Sequence, residues 1–355
     1  MLTKRERVIR TVNFQETDYT PIYDIFQNDG LIEHYAGEPI TPENGYRVKG
    51  IVIGKTLDMT RMPDGPSAPR EELDGNGFLM RYERWTSWII QRPFDSETGM
   101  VEFVKRDTEK FNRIQFDSAY RQRFHAWLDQ CNAYSAAGDP TGRGDPTVLI
   151  NESGVGLDGI FHLLGWEFFT TLMVDYPEML DAYLEARHQV ELRRVAAVAD
   201  PKILPIVLTY DDIAYKTSTL ISPKWLRKNW VPRLKRLVDA WHTRDTLCVY
   251  HSDGNLWPIL DDLVSVGIDG LNPLEVLAGM TVKEVRQKYP HLFLTGGIDV
   301  SQLLSFGTVE EVREVCRQTI QDAGGLGYFI GSSTELHWGV KPENAIAMFE
   351  TAWGK

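Results

Sequence analysis

Cysteine is scarce in this chain, and the three present (Cys131, Cys248, Cys316) share no CxxC spacing. A disulfide framework and a tetrathiolate zinc site are both excluded. Long apolar runs are absent, so no segment reads as a membrane span. The start, Met1-Leu2-Thr3-Lys4-Arg5-Glu6-Arg7, is charged and helix-like rather than a leader, which sets a cytoplasmic expectation. Lys and Arg form no basic cluster, and the net charge is −12. Nucleic acid and anionic membranes are therefore poor partners. Finally, no GxGxxG follows the first apolar strand, which argues against a dinucleotide fold.

What the chain does have is rhythm. Short apolar runs end in polar residues and alternate with helical stretches. The runs are Thr20–Ile25, Gly50–Ile53, Thr147–Ile150, Ile203–Leu208, Thr246–Tyr250, Ile268–Leu271, Leu292–Thr295 and Gly327–Ile330. Eight such units in 355 residues predict a single (β/α)8 TIM barrel over 1–355. Between about 65 and 118 the pattern breaks. Met80 to Ile90 alternates and carries Trp85 and Trp88, which predicts an antiparallel, aromatic-rich hairpin inserted after the second strand. That insertion suits an apolar lid over an aromatic substrate or, equally, a homodimer contact.

In a parallel barrel the carboxyl ends of all strands converge on one face, where chemistry sits. The stretch His251-Ser252-Asp253-Gly254 closes one run and is the centre of that face. Around it the barrel gathers Asp24, Gln27, Glu152, Tyr210, Asp211, Asp212, Glu275, Ser333 and His337. Carboxylates crowded this way repel unless a proton or cation lies among them, which points to a divalent metal such as zinc. Glu152 and His251 are the expected ligands, and Asp253 either ligates or orients His251. Asp211 or Asp212 is the expected proton donor, while Asp24, Gln27, Tyr210, Glu275, Ser333 and His337 are expected to contact substrate. Each Asp or Ser in this set equally suits the cap of the helix that follows it.

Asp211-Asp212-Ile213-Ala214-Tyr215, His251-Ser252-Asp253-Gly254-Asn255, Gly296-Gly297-Ile298-Asp299 and the tail from Gly331 to Asn344 resemble the uroporphyrinogen decarboxylase and corrinoid methyltransferase superfamily. The resemblance covers nearly the whole chain and implies a (β/α)8 barrel. Porphyrinogen decarboxylases carry an arginine-rich segment after the first strand, whereas Ile25 to Tyr35 has no Arg or Lys. Thiol methyltransferases of the superfamily bind zinc through His-x-Cys and a late Cys; here those positions read His251-Ser252-Asp253 and Ser332-Ser333. The branch left is similar to the substrate-side methyltransferases of O-demethylases. It implies transfer of a methyl group from a methyl ether, such as a methoxylated aromatic, to a corrinoid on a partner protein. That branch also implies an alternative zinc set, Glu152, Glu167 and His188, by its spacing. His188 falls about eleven residues into a helix, roughly 16 Å from its start. A small-molecule decarboxylase or lyase is the alternative activity, and a non-enzymatic binding barrel the third reading.

Overall fold

The computed structural model describes residues 1–355. Seven parallel strands form one curled sheet, numbered here β1 (Met59–Arg61), β2 (Val148–Gly154), β3 (Ile206–Tyr210), β4 (Leu247–His251), β5 (Gly270–Asn272), β6 (Phe293–Ile298) and β7 (Tyr328–Ser332). The two edges, β1 and β7, are joined by Ile22 and Tyr23. Ile22 bridges Ile330 and Tyr23 bridges Met59, both parallel. The fold is thus TIM-barrel-like. No helix is long and apolar enough to cross a membrane.

Side chains alternate between the two faces of each strand. One set packs inside the sheet's curl: Tyr23, Met59, Val148, Ile150, Ile206, Leu208, Val249, Phe293 and Phe329. Val8 and Val12 of the helix Lys4–Val12 join the same cluster and close the amino end of the strands. That helix is fixed by a Thr3–Glu6 capping box. It is also fixed by buried Arg7, which donates to Asp18 (2.7 Å) and Asp58 (2.6 Å). Continuing the same alternation past the apolar plug leads to Arg61, Glu152, Tyr210, His251, Asn272 and Thr295, so these line the opposite, carboxyl-terminal mouth.

Two expectations are corrected. The run around Gly50–Ile53 is not the second strand; it lies inside the helix Gly45–Thr56. Its β-branched residues favour a strand, but Gly50 and Gly54 let the helix press against the helix Ser118–Ala137. A Cβ on Gly54 would sit 1.9 Å from the Ser135 carbonyl oxygen, so this packing requires glycine. The true second strand is the three-residue β1. The segment after β1 is also more than a hairpin. Arg70–Leu73, Leu79–Tyr82 and Ser87–Gln91 form a three-stranded antiparallel sheet, followed by the helices Glu97–Arg113 and Ser118–Ala137. Trp85 lies in its second turn, is buried, and donates from its indole to Asp29 (2.8 Å), beside a cleft shared with Trp338. Trp88 faces solvent.

Candidate active site

β4 ends at His251 because the chain turns there through Gly254, whose φ of 89° suits only glycine. A Cβ at that position would also lie 2.6 Å from the Ala214 backbone. The imidazole is held from behind. Nδ1 is 2.5 Å from Asn272 Oδ1, and the Asn272 amide in turn donates to Thr295 Oγ1. With Nδ1–H occupied, Nε2 faces the mouth, 3.8 Å from Asp212 Oδ1. Asp212 accepts from the Asp253 backbone N–H (3.0 Å), so the two strand ends are laced together. Asp253 Oδ2 accepts from the Thr334 hydroxyl (3.2 Å), while its Oδ1 is buried with no partner.

Burial alone pushes the His251 imidazole down, but Asp212, Asp253 and the Asn272 bond outweigh it, and the proton is held above the usual histidine range. Asp253 is raised as well, which for an acid disfavours the charged form. Burial pushes it up, against the pull of His251, to about 6, with Asp212, Glu275 and Glu335 adding repulsion. The mouth therefore presents an imidazole whose proton is held more tightly than usual beside carboxylates, a proton source at Nε2.

Two features of the mouth were not anticipated from sequence. Arg61 points in from β1 and binds Glu152 Oε1 at 3.0 Å. Tyr23, fully inside, carries a hydroxyl with no hydrogen-bond partner and a proton held tighter than usual by burial. Arg61 was missed because β1 was missed; read as Met59-Thr60-Arg61, alternation would have turned it inward.

The other expected residues divide into those at the mouth and those that brace it. Asp211 is a correction. It is fully buried and faces outward from β3, where its oxygens accept from the N–H groups of Val155 (3.2 Å), Gly156 (3.1 Å) and Asp158 (3.0 Å) and from the Trp230 indole (2.8 Å). Burial and the Asp158 carboxylate push it well up, but both oxygens are sealed from the mouth and taken by the fold, so a proton held there does not reach a substrate. Asp24 is likewise corrected. At 1% exposure it accepts from Ser332 (N–H and Oγ, both 2.8 Å) and Ile25 N–H (2.9 Å), closing the barrel seam. Its carboxyl is pushed up by burial to about 7. Ser333 is buried and accepts from Val300 N–H (3.2 Å), a loop brace. Glu275 accepts from Gly254 N–H (2.8 Å), fixing the turn after His251. Gln27 and His337 are paired neighbours on the short strands Phe26–Gln27 and Leu336–His337; Gln27 Oε1 is buried without a partner. Tyr210, at the mouth, also lines an adjoining cleft together with Glu152.

The expected metal donors do not gather. Glu152 is engaged by Arg61, Glu167 is exposed on the helix Trp166–Asp175, and His188 is buried inside the helix Pro177–Val198. His242, Cys248 and Asp269, at the other end of the strands, are the one set of three such ligand atoms within 4.8 Å of one another. The charge balance also differs from expectation, because Arg61 and the imidazolium supply the cations the mouth carboxylates need. As they stand, these residues do not fit a bound divalent ion.

His188 has a different consequence. Neither ring nitrogen has a partner, and burial, aided by Arg236 and Arg233 against Glu185, holds the ring neutral down to about 4. Its stabilising neutral form is fully present above 6.5 and is lost as pH falls from 6.5 toward 4. His188→Leu is expected to raise stability by about 1 kcal/mol at pH 7 and roughly 3 kcal/mol near pH 4. Urea melts at the two pH values check this; equal melts for both proteins would refute the assignment.

Comparison with known proteins now bears on this geometry. The family model for uroporphyrinogen decarboxylase (URO-D) matches residues 161–353, more than half of the chain. The chain belongs to the URO-D family. No curated protein matches it. Among solved structures, a methyltransferase from Methanosarcina mazei superposes with a TM-score of 0.68 at 14% identity, covering 99% of this chain and 98% of that one. A xylose isomerase-like TIM barrel protein from Mycobacterium smegmatis matches at 12% identity over 73% of this chain and 90% of that one, with a TM-score of 0.38. At these identities the likeness to the methyltransferase is one of fold. For this URO-D member, the matched region takes in β3 to β7, hence Asp212, His251 and Asp253, but not Arg61 or Glu152.

Proposed function

We propose that this URO-D family member is a methyltransferase that moves a methyl group from a methyl ether, such as a methoxylated aromatic, to a corrinoid carried by a partner protein. The observation that carries the reading is His251, its Nδ1 anchored by Asn272 and its Nε2 presented to the mouth beside Asp212, with the ring's proton held above the usual histidine range. The methyltransferase from Methanosarcina mazei on the same fold supports it. An ether gives up its methyl group reluctantly because an alkoxide or phenoxide leaves poorly. A proton delivered to that oxygen as the carbon–oxygen bond breaks removes the difficulty.

The reduced corrinoid supplies the nucleophile that takes the methyl group. The chain's own residues do the rest. His251 Nε2 gives its proton to the ether oxygen, which leaves as a hydroxyl. Asp212 and Asp253 keep that proton on the ring beforehand. Arg61 holds Glu152 away from the imidazole and keeps the mouth from becoming uniformly negative. The alternative, a decarboxylase of the same family, draws on the same imidazolium.

The test is spectroscopic. Under anaerobic conditions, with a reduced corrinoid protein and methoxylated aromatics, a methylated corrinoid spectrum should appear and the free phenol should accumulate. The rate should fall as pH rises above the raised imidazole pKa, since the proton is then lost. Asp253→Asn removes one carboxylate that holds it, so the falling limb should move to lower pH. A limb that stays in place in Asp253→Asn would remove His251 from the proposed role.

A further inference from the structure

Beside the mouth lies a second, polar cleft of about 410 Å³, over the edge of β2 that extends past β1. Tyr210 lines it, and Tyr210 is the strand neighbour of His251, so the cleft opens next to the candidate proton donor. Its charges can be paired off one by one. Glu152 is bound by Arg61. Glu191 is bound by Arg194 at 2.6 Å and by the Ser153 hydroxyl. Arg187 is left over: no carboxylate touches it directly, and its one bond, 3.3 Å from Nη1 to the Tyr183 hydroxyl, reaches buried Asp107 only through that hydroxyl, which donates to the carboxylate (2.6 Å).

That guanidinium is nonetheless held in one place. It stacks over Phe111 (4.9 Å to the ring centroid) and Tyr183 (5.6 Å). On its other side it rests against glycine backbone: a Cβ on Gly159 would lie 2.8 Å from Nη2. A fixed cation with no carboxylate in direct contact, its donors facing a cleft of a protein carrying −12 overall, suits an anion from solution. Its planar fork suits a carboxylate, and the flanking rings of Phe111 and Tyr210 suit an aromatic one.

We infer that Arg187 anchors the carboxylate of a small aromatic acid, so that the methyl donor, on the methyl-transfer reading above, is a methoxylated aromatic carboxylate. Binding can be measured without any corrinoid, which separates this inference from that reading. Isothermal titration of the full-length protein with 4-methoxybenzoate and with neutral 4-methoxybenzamide is the experiment. The acid should bind, the amide should bind at least about tenfold more weakly, and Arg187→Gln should lose about tenfold or more for the acid alone. Arg187→Lys should fall between, keeping the charge without the fork. If Arg187→Gln fails to fold, Gly159→Ala, which intrudes on the guanidinium, should weaken the acid in the same way. Equal affinities for acid and amide, no binding of the acid, or undiminished binding in Arg187→Gln and Gly159→Ala would each overturn the assignment. Methyl transfer from neutral ethers would then still stand or fall separately.

Discussion

Asp211→Ala is expected to lose most of the protein's stability, while the adjacent Asp212→Ala loses almost none. Asp211 is the common acceptor for three backbone N–H groups of the β2 exit and one indole, all within 3.2 Å. Removing it strands four buried donors, at about 1–3 kcal/mol each if none finds a new partner. Even with partial relaxation the loss is of order 5 kcal/mol, comparable to the whole stability of an ordinary domain. Asp212 has a side chain that is 44% exposed and braces no helix, so its removal should cost within about 1 kcal/mol. Urea denaturation of the two variants reads this directly. Activity should sort the other way among folded proteins, with Asp212→Ala impaired through its effect on His251. A stable Asp211→Ala protein would mean that the carboxylate is not the brace described here.

His251→Ala is the second large effect. It should lower kcat/KM for methyl transfer by about 10²–10⁴-fold, the range for loss of a positioned proton donor, and leave the melting temperature close to that of the parent. The ring is half-buried at the mouth, not part of the apolar plug, so little packing is lost. Asn272→Ala should show a smaller loss, with the falling limb moved to lower pH as in Asp253→Asn, since it leaves the imidazole in place but unsteered. A His251→Ala protein within about threefold of the parent rate would place the chemistry elsewhere, since a positioned acid contributes far more than that.

These two predictions show where sequence and structure part company. Asp211 and Asp212 are consecutive, and both sit at a strand end. On a strand, however, neighbours face opposite sides, and the residue parity that turns Tyr210 inward sends Asp211 out to Trp230. Composition alone cannot separate a carboxylate that caps backbone from one that waits for substrate. The same holds for Asp24 and Ser333, whose partners lie 308 and 33 residues away in the chain. His251 and Asp253 were legible because an unbroken apolar run, Leu247–Tyr250, ends on them. The later strands were legible for the same reason. β1 was hidden: three residues following a helix richer in β-branched residues than the strand itself, with the glycines that permit the helix looking like strand punctuation. Losing β1 lost Arg61, a cation set among those carboxylates.

The most direct measurement follows the methyl group itself. A methoxylated aromatic acid carrying a deuterated methyl is incubated anaerobically with the protein and a reduced corrinoid protein, and the products are weighed by mass spectrometry. Methyl transfer predicts the intact deuterated methyl on the corrinoid and one equivalent of the phenol, with the carboxyl group retained and the initial rate lowered about 10²-fold or more in His251→Ala. Release of carbon dioxide with the ether intact, or phenol formed without label on the corrinoid, would contradict it.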